Sequence, residues 1–257
     1  MLFLTGLAAA RAGLPLPMQD GEKLTYRVSW AIVPGAGEIT IAAEQDTKAG
    51  RLVVKSNTAT RKLAHWLLPF DATSQTVFDL KTGQLLSIHE KSAQREKKAE
   101  HRVTFDYPNR IANYVGIEDA SKTRPLPMPP GDPTDLMMAL LQTRSWDLKP
   151  GETRDALVLF DADFYELTIH MARYEEVRTP LGPFNTIVLE PRMDKTPPKG
   201  MFKRGSSVRV WIAQDDRRLP VKFEVMFKIG TGTATLESYQ PPAAKTQAAA
   251  SGSAGER

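Results

Sequence analysis

The chain has 257 residues, 41% of them hydrophobic, a net charge of +4 and no cysteine. That apolar content supports a sizeable core and excludes a disordered chain, and the mild charge, with acids interleaved among bases, excludes a nucleic-acid-binding tract. The lack of cysteine removes disulfides, thiolate metal centres, cysteine nucleophiles and a lipidated cysteine from consideration.

Residues 1–12 read as an export leader. The apolar run Met1–Ala10 is followed by Ala10-Arg11-Ala12, the small-x-small form cleaved by signal peptidase. A charged n-region is missing from this run, so a truncated leader is expected. The run is too short to span a bilayer, and no later segment approaches about 18 uninterrupted apolar residues. The mature protein is therefore expected to be exported to the periplasm and not integral to the membrane. Residues 13–21 read as a linker into one domain over 22–240.

Strand patterning dominates from there. Leu24, Tyr26, Val28, Trp30 and Ile32 alternate onto one face, Pro34-Gly35-Ala36-Gly37 forms a turn, and Ile39, Ile41 and Ala43 continue in a second strand. A third strand is expected over 51–58 and a short helix over 60–68, capped by Thr60 and ended by Pro69. After a strand at 72–80, a hairpin turning at Arg95 and Glu96 sets Ile88 against Val103. The same register puts Glu90 opposite His101 on the apolar face, and His89 and Lys91 opposite Arg102 and Glu100 on the wet face. Residues 116–131, rich in Pro and Gly, read as a surface loop.

A helix is expected over 133–142, with Asp132 as cap, Pro133 in the first turn and Asp135 facing the dipole. Its body, Leu136-Met137-Met138-Ala139-Leu140-Leu141, is apolar nearly all round, so it should plug the concave side of the sheet. Strands resume at 153–160, then with Tyr165, Leu167, Ile169 and Met171 on one face, and at 184–190. Residues 193–205 read as a charged loop. Val208, Val210 and Ile212 follow, then a turn at Asp215-Asp216 and strands at 219–229 and 233–239. From Pro241 onward the Ala-, Ser- and Gly-rich tail is expected to be disordered.

Several stretches carry a family pattern. They are Gly37-Glu38-Ile39-Thr40-Ile41, Asp132-Pro133-Thr134-Asp135, Leu148-Lys149-Pro150-Gly151-Glu152, Thr179-Pro180-Leu181-Gly182-Pro183-Phe184 with Glu190-Pro191, and Val210-Trp211-Ile212 through Leu219-Pro220-Val221. In order and spacing, over residues 22–240, the chain resembles the bacterial family catalogued as domain of unknown function 3108. The resemblance implies an exported, mostly β protein of Gram-negative envelopes. It implies no activity and transfers no catalytic residue. The expected form also looks like that of periplasmic lipoprotein carriers, an analogy of architecture alone.

Few residues suggest chemistry. Glu90 with His101 is the best polar pair, suited to a polar headgroup or to acid–base work, against an interior or rim pair with no such role. His65 and Trp66 are candidate ligand contacts at the mouth of the sheet, and Met137 and Leu140 candidates on the plug helix. His170 should be solvated. Asp161 and Asp163, like Asp215 and Asp216, read as turn residues. Two ligands are too few for a metal site, Gly205-Ser206-Ser207 is no nucleophile elbow, and Gly230 and Gly232 form no phosphate cradle.

The fold class expected is mainly β: a large curved antiparallel sheet or partly open β-barrel enclosing one apolar helix. The leading functional expectation is a non-enzymatic periplasmic carrier for a lipid or acyl chain, without cofactor or metal. The alternative is an envelope scaffold binding polysaccharide or another protein; an enzyme acting on glycans ranks behind both.

Overall fold

A computed structural model describes residues 15–31, 33–61, 69–199, 202–203, 206–227 and 230–243. Fifteen strands form one sheet. In the first wing they are β1 (Lys23–Trp30), β2 (Val33–Asp46), β3 (Arg51–Thr60), β4 (Phe70–Asp79), β5 (Leu85–Gln94), β6 (Lys97–Asp106), β7 (Ile111–Gly116) and β8 (Arg124–Pro127). The second wing holds β9 (Thr134–Asp135), helix α1 (Leu136–Gln142), β10 (Thr153–Phe160), β11 (Asp163–Thr179), β12 (Gly182–Arg192), β13 (Ser207–Ala213), β14 (Pro220–Phe227) and β15 (Gly230–Gln240).

Each wing is a meander, and β1 pairs with β15 to join them, so the edges of the sheet are β8 and β9. Neighbours are antiparallel except β9 beside β10. Bulges interrupt the registers at Thr25/Tyr26, Val77/Phe78, Met171/Arg173 and Trp211/Ile212. A bulge increases local twist, and several of them let a long sheet coil upon itself. The edges stay unpaired, yet the wings touch across the seam. Gln84 donates to Asp132 at 3.0 Å, and the Tyr114 hydroxyl lies 3.5 Å from Asp161. Edge strand β8 carries Pro125 and Pro127, which lack the N–H a further partner would need.

Alternating residues face inward, as the period-two pattern requires. Leu24, Tyr26, Ile41, Leu52, Val54, Ile88, Val103, Ile169, Met171 and Val221 are buried in one core with Met138, Leu140 and Leu141 of α1. Each fully buried side chain of this kind contributes about 1.5–3 kcal/mol. The apolar helix is therefore inside the sheet, as its composition demands. The β5–β6 hairpin runs from Ser87↔Thr104 to Gln94↔Lys97 with Glu90↔His101, the register expected from the sequence.

Five expectations need correction. The helix begins at Leu136 and not at Pro133, because Thr134 and Asp135 are held extended beside Val158 and Leu159 of β10. Its cap is Asp135, whose Oδ1 accepts from Met138 N at 2.9 Å, while Asp132 serves Gln84 instead. The loop at 116–131 contains β8, a Pro-containing strand hidden by its own breakers. The supposed linker over 13–21 is packed in its described part: Met18 is buried and Gly21 N donates to Ala43 O. The expected helix at 60–68 starts within β3, and residues 62–68 lie outside the described residues, as do the leader and most of the tail.

One end of the coil is shut by ions. The Glu22 side chain, 0% exposed, accepts from Arg144 Nη1 at 2.6 Å and from Gln19 N at 3.0 Å. Arg144 Nη2 donates to Arg217 O, and Arg218 donates to the carbonyls of Arg144 and Trp146. The Asp215-Asp216-Arg217-Arg218 stretch thus holds the exit of α1 against the sheet. Asp215 itself accepts from Arg217 and from the Arg218 N–H, which is turn chemistry.

Candidate functional site

The opposite end is open. Between α1 and this end lies a cavity of about 970 Å³. Its walls differ. Val28, Ile39, Val208, Phe223, Val225 and Ala234 form an apolar side, whereas Ser56, Thr58, Ser74, Thr76 and Ser92 put hydroxyls on the other. Leu136, Met137, Met138 and Leu140 of α1 form the floor. The alternation of β3–β5 explains the polar side: small hydroxyl residues occupy inward positions that would otherwise carry core side chains.

At the mouth stands Trp30, 36% exposed, with Phe160, 42% exposed. The Trp30 indole lies across β15, where a Cβ on Gly232 would meet its ring at 3.2 Å. Trp30 pairs with Gly232 in register, so the glycine supplies the room in which the ring lies flat.

A polar group projects into the cavity from β5–β7. Glu90 Oε2 and His101 Nε2 are 3.4 Å apart. His101 stacks on Tyr114 with centroids 4.8 Å apart and planes at 16°. Across the seam comes Asp161, whose positive φ of 56° belongs to the tight turn between β10 and β11. Below them the Thr76 hydroxyl donates to Asp135 Oδ2 at 2.9 Å, tying the cap of α1 to β4.

Glu90 lines the cavity and retains 42% of its side-chain surface. Burial pushes its carboxyl up to about 7, helped by the carboxylates of Asp135 and Asp161. Burial pulls the His101 imidazole below its usual value, opposed in part by Asp161. Burial and Asp161 push the Tyr114 phenol up to about 12. Burial also raises Asp135, against the Met138 N–H and Thr76 hydroxyl that favour its charged form. Near neutral pH burial thus keeps the His101 imidazole toward its neutral form and leaves the Glu90 carboxyl about half protonated.

A raised carboxyl has a sign in stability. Between its ordinary value of 4.5 and about 7, folded Glu90 holds more proton than the unfolded chain. Its favourable contribution is full below pH 4.5 and is lost as pH rises through 7. Glu90→Gln should therefore be more stable than the parent at pH 8, on the order of 1 kcal/mol because cavity water screens the charge. Denaturant unfolding at pH 5 and pH 8 checks this: the advantage should shrink at the lower pH.

Of the residues singled out from sequence, the fold brings Glu90, His101, Met137 and Leu140 to one cavity. His65 and Trp66 lie outside the described residues. His170 is half-buried and 2.5 Å from Asp194, so it is paired and not simply solvated. Tyr114, Asp161, Trp30 and Phe160 also reach the cavity. Asp161 had read as a turn residue, which it is, and only the coiling of the sheet aims it inward. Among the described residues no group of three or more His, Asp or Glu is placed to hold a metal ion, and no helix is long and apolar enough to cross a membrane.

Two solved structures share features of the chain. The β-barrel-like protein of domain of unknown function DUF1849 from Brucella abortus matches with a TM-score of 0.55 at 8% identity, covering 88% of this chain and 99% of that one, which supports the barrel-like fold. A protein from Bacteroides fragilis described as a putative exported protein with a YmcC-like fold matches with a TM-score of 0.36 at 14% identity, covering 89% of this chain and 99% of that one. No curated protein matches the sequence. The model of the family described as protein of unknown function, DUF3108, covers residues 25–237, nearly the whole of the coiled sheet, and the chain belongs to that family.

Proposed function

We propose that this protein is a non-enzymatic carrier in the envelope of a Gram-negative cell, holding the apolar part of a lipid or other acyl-bearing molecule above α1. The observation that carries the reading is the cavity of about 970 Å³, floored by Met137, Met138 and Leu140. Ligand sites usually fall within about 300–1,000 Å³, so this is a large one. Protein interiors are close-packed, and a few larger side chains on β3 and β4 would have filled the space. Methionines on the floor adapt to flexible chains. Glu90, His101 and Tyr114 would contact a polar group of the ligand by hydrogen bonding, without cofactor or metal. Export follows from the leader pattern at Ala10-Arg11-Ala12.

The scaffold reading, with polysaccharide or protein at the sheet edges, would be favoured by a filled interior; the cavity favours the carrier. Dansyl-labelled undecanoic acid tests the proposal. Its emission should shift to the blue on addition of protein and reverse with unlabelled fatty acid, and lipid extraction of protein made in a Gram-negative periplasm should release an acyl species. No shift together with no extracted lipid would overturn it.

A further inference from the structure

The cavity carries a sign as well as a size. Its lysines are answered at the mouth: Lys91 pairs with Glu100 at 3.4 Å, Lys122 with Asp119 at 4.0 Å, and exposed Lys98 and Glu118 remain, one of each charge. Three further acids line the space among the described residues, with no further lysine or arginine to offset them: Glu90, Asp135 and Asp161. This acidic excess sits in a chain whose net charge is +4. Arg124 acts on Tyr114 from the exposed edge strand β8 but does not line the cavity.

The neighbours of the three acids are weakly charged or neutral. Glu90 has His101 at 3.4 Å, Asp135 accepts from Met138 N and the Thr76 hydroxyl, and exposed Asp161 has the Tyr114 hydroxyl at 3.5 Å. Asp135 and Asp161 both act on Glu90 as like charges. A cation among them relieves that repulsion, whereas a ligand carboxylate adds to it. Donor chemistry points the same way: an ammonium brings three donors and no acceptor, and ionised carboxylates only accept. We propose that the cavity takes an acyl-chain ligand whose head is a primary ammonium facing Glu90 and Asp161, with its chain over Met137 and Leu140. The inference rests on the carrier reading and names the class of ligand. A fatty acid still enters by its chain, but against the charge of the lining.

Competition with the neutral fluorescent probe N-phenyl-1-naphthylamine tests it, using the full chain at pH 8 and ligands below their micelle concentrations. Dodecylamine should displace the probe at concentrations about tenfold lower than dodecanoate, with dodecanol between them. Glu90→Gln with Asp161→Asn should shrink that ratio severalfold; Asn tolerates the positive φ at 161. Glu44→Gln, on a side chain 78% exposed outside the cavity, should keep the ratio. In weakly buffered solution at pH 7, dodecylamine should release protons as Glu90 ionises beside it, and dodecanoate should take them up. Lysophosphatidylethanolamine competing like dodecylamine, with lysophosphatidylglycerol weak, would assign the ammonium to a phospholipid; competition by dodecylamine alone would assign it to a phosphate-free lipid. Dodecanoate equal to or better than dodecylamine, or a ratio unchanged in the double variant, would overturn the inference and leave the carrier reading standing. Displacement by none of the twelve-carbon ligands would sink both.

Discussion

Arg144→Met should lower the stability of the fold by about 3–5 kcal/mol, the usual cost of leaving a buried charge without its partner. Glu22 has 0% side-chain exposure and would lose its only cationic partner, keeping the neutral donors Gln19 N and the Tyr239 phenol. The carbonyl of Arg217 would also lose its donor. For a chain of this size the melting temperature should fall by roughly 10 °C. Urea unfolding of the parent, the single variant and the double variant Glu22→Gln with Arg144→Met measures it. The double variant should recover much of the loss, because the amide brings no charge into the core. A single variant as stable as the parent would mean that water reaches Glu22.

Ala72→Phe combined with Ser74→Phe should weaken binding of dansyl-undecanoic acid at least tenfold while leaving the fold intact. Both residues face the cavity from β4, Ala72 opposite Ser92 and Ser74 opposite Glu90. Two rings there occupy the space assigned to the ligand, and they enter an open volume and not a packed core, so overpacking strain stays small. Gln75→Phe, on the exposed face of the same strand, should bind the probe normally. A double variant that binds as tightly as the parent would remove the cavity from the argument.

Much of the architecture is local, and so was legible before any coordinates. Period-two alternation marks strands wherever one face meets a core, which is why Tyr165, Leu167, Ile169 and Met171 are all buried, although Tyr165 and Leu167 pack with Val158 and Met193 in a second cluster, apart from Ile169 and Met171. The Glu90↔His101 register followed from apolar pairing on one face and from a short hairpin at Arg95-Glu96. The misjudged places are those where a neighbour overruled a local signal. Thr134 and Asp135 have helix-start chemistry, but β10 offers them a ladder. Pro125 and Pro127 look like breakers, yet they suit a strand with a free edge. Glu22 and Arg144 are 122 residues apart, and nothing local announces that they share one buried bond.

The amino-acid sequence alone determined that this is an antiparallel β protein holding an apolar helix, because hydrophobic period and burial are set by residues two to four apart. Only the tertiary structure decided that the helix fills one end and leaves the other open, and that Tyr114 and Asp161 join Glu90 and His101 there. The reason is geometric. How far a sheet coils depends on the sum of small twists and bulges over fifteen strands, and no single stretch of the chain records that sum.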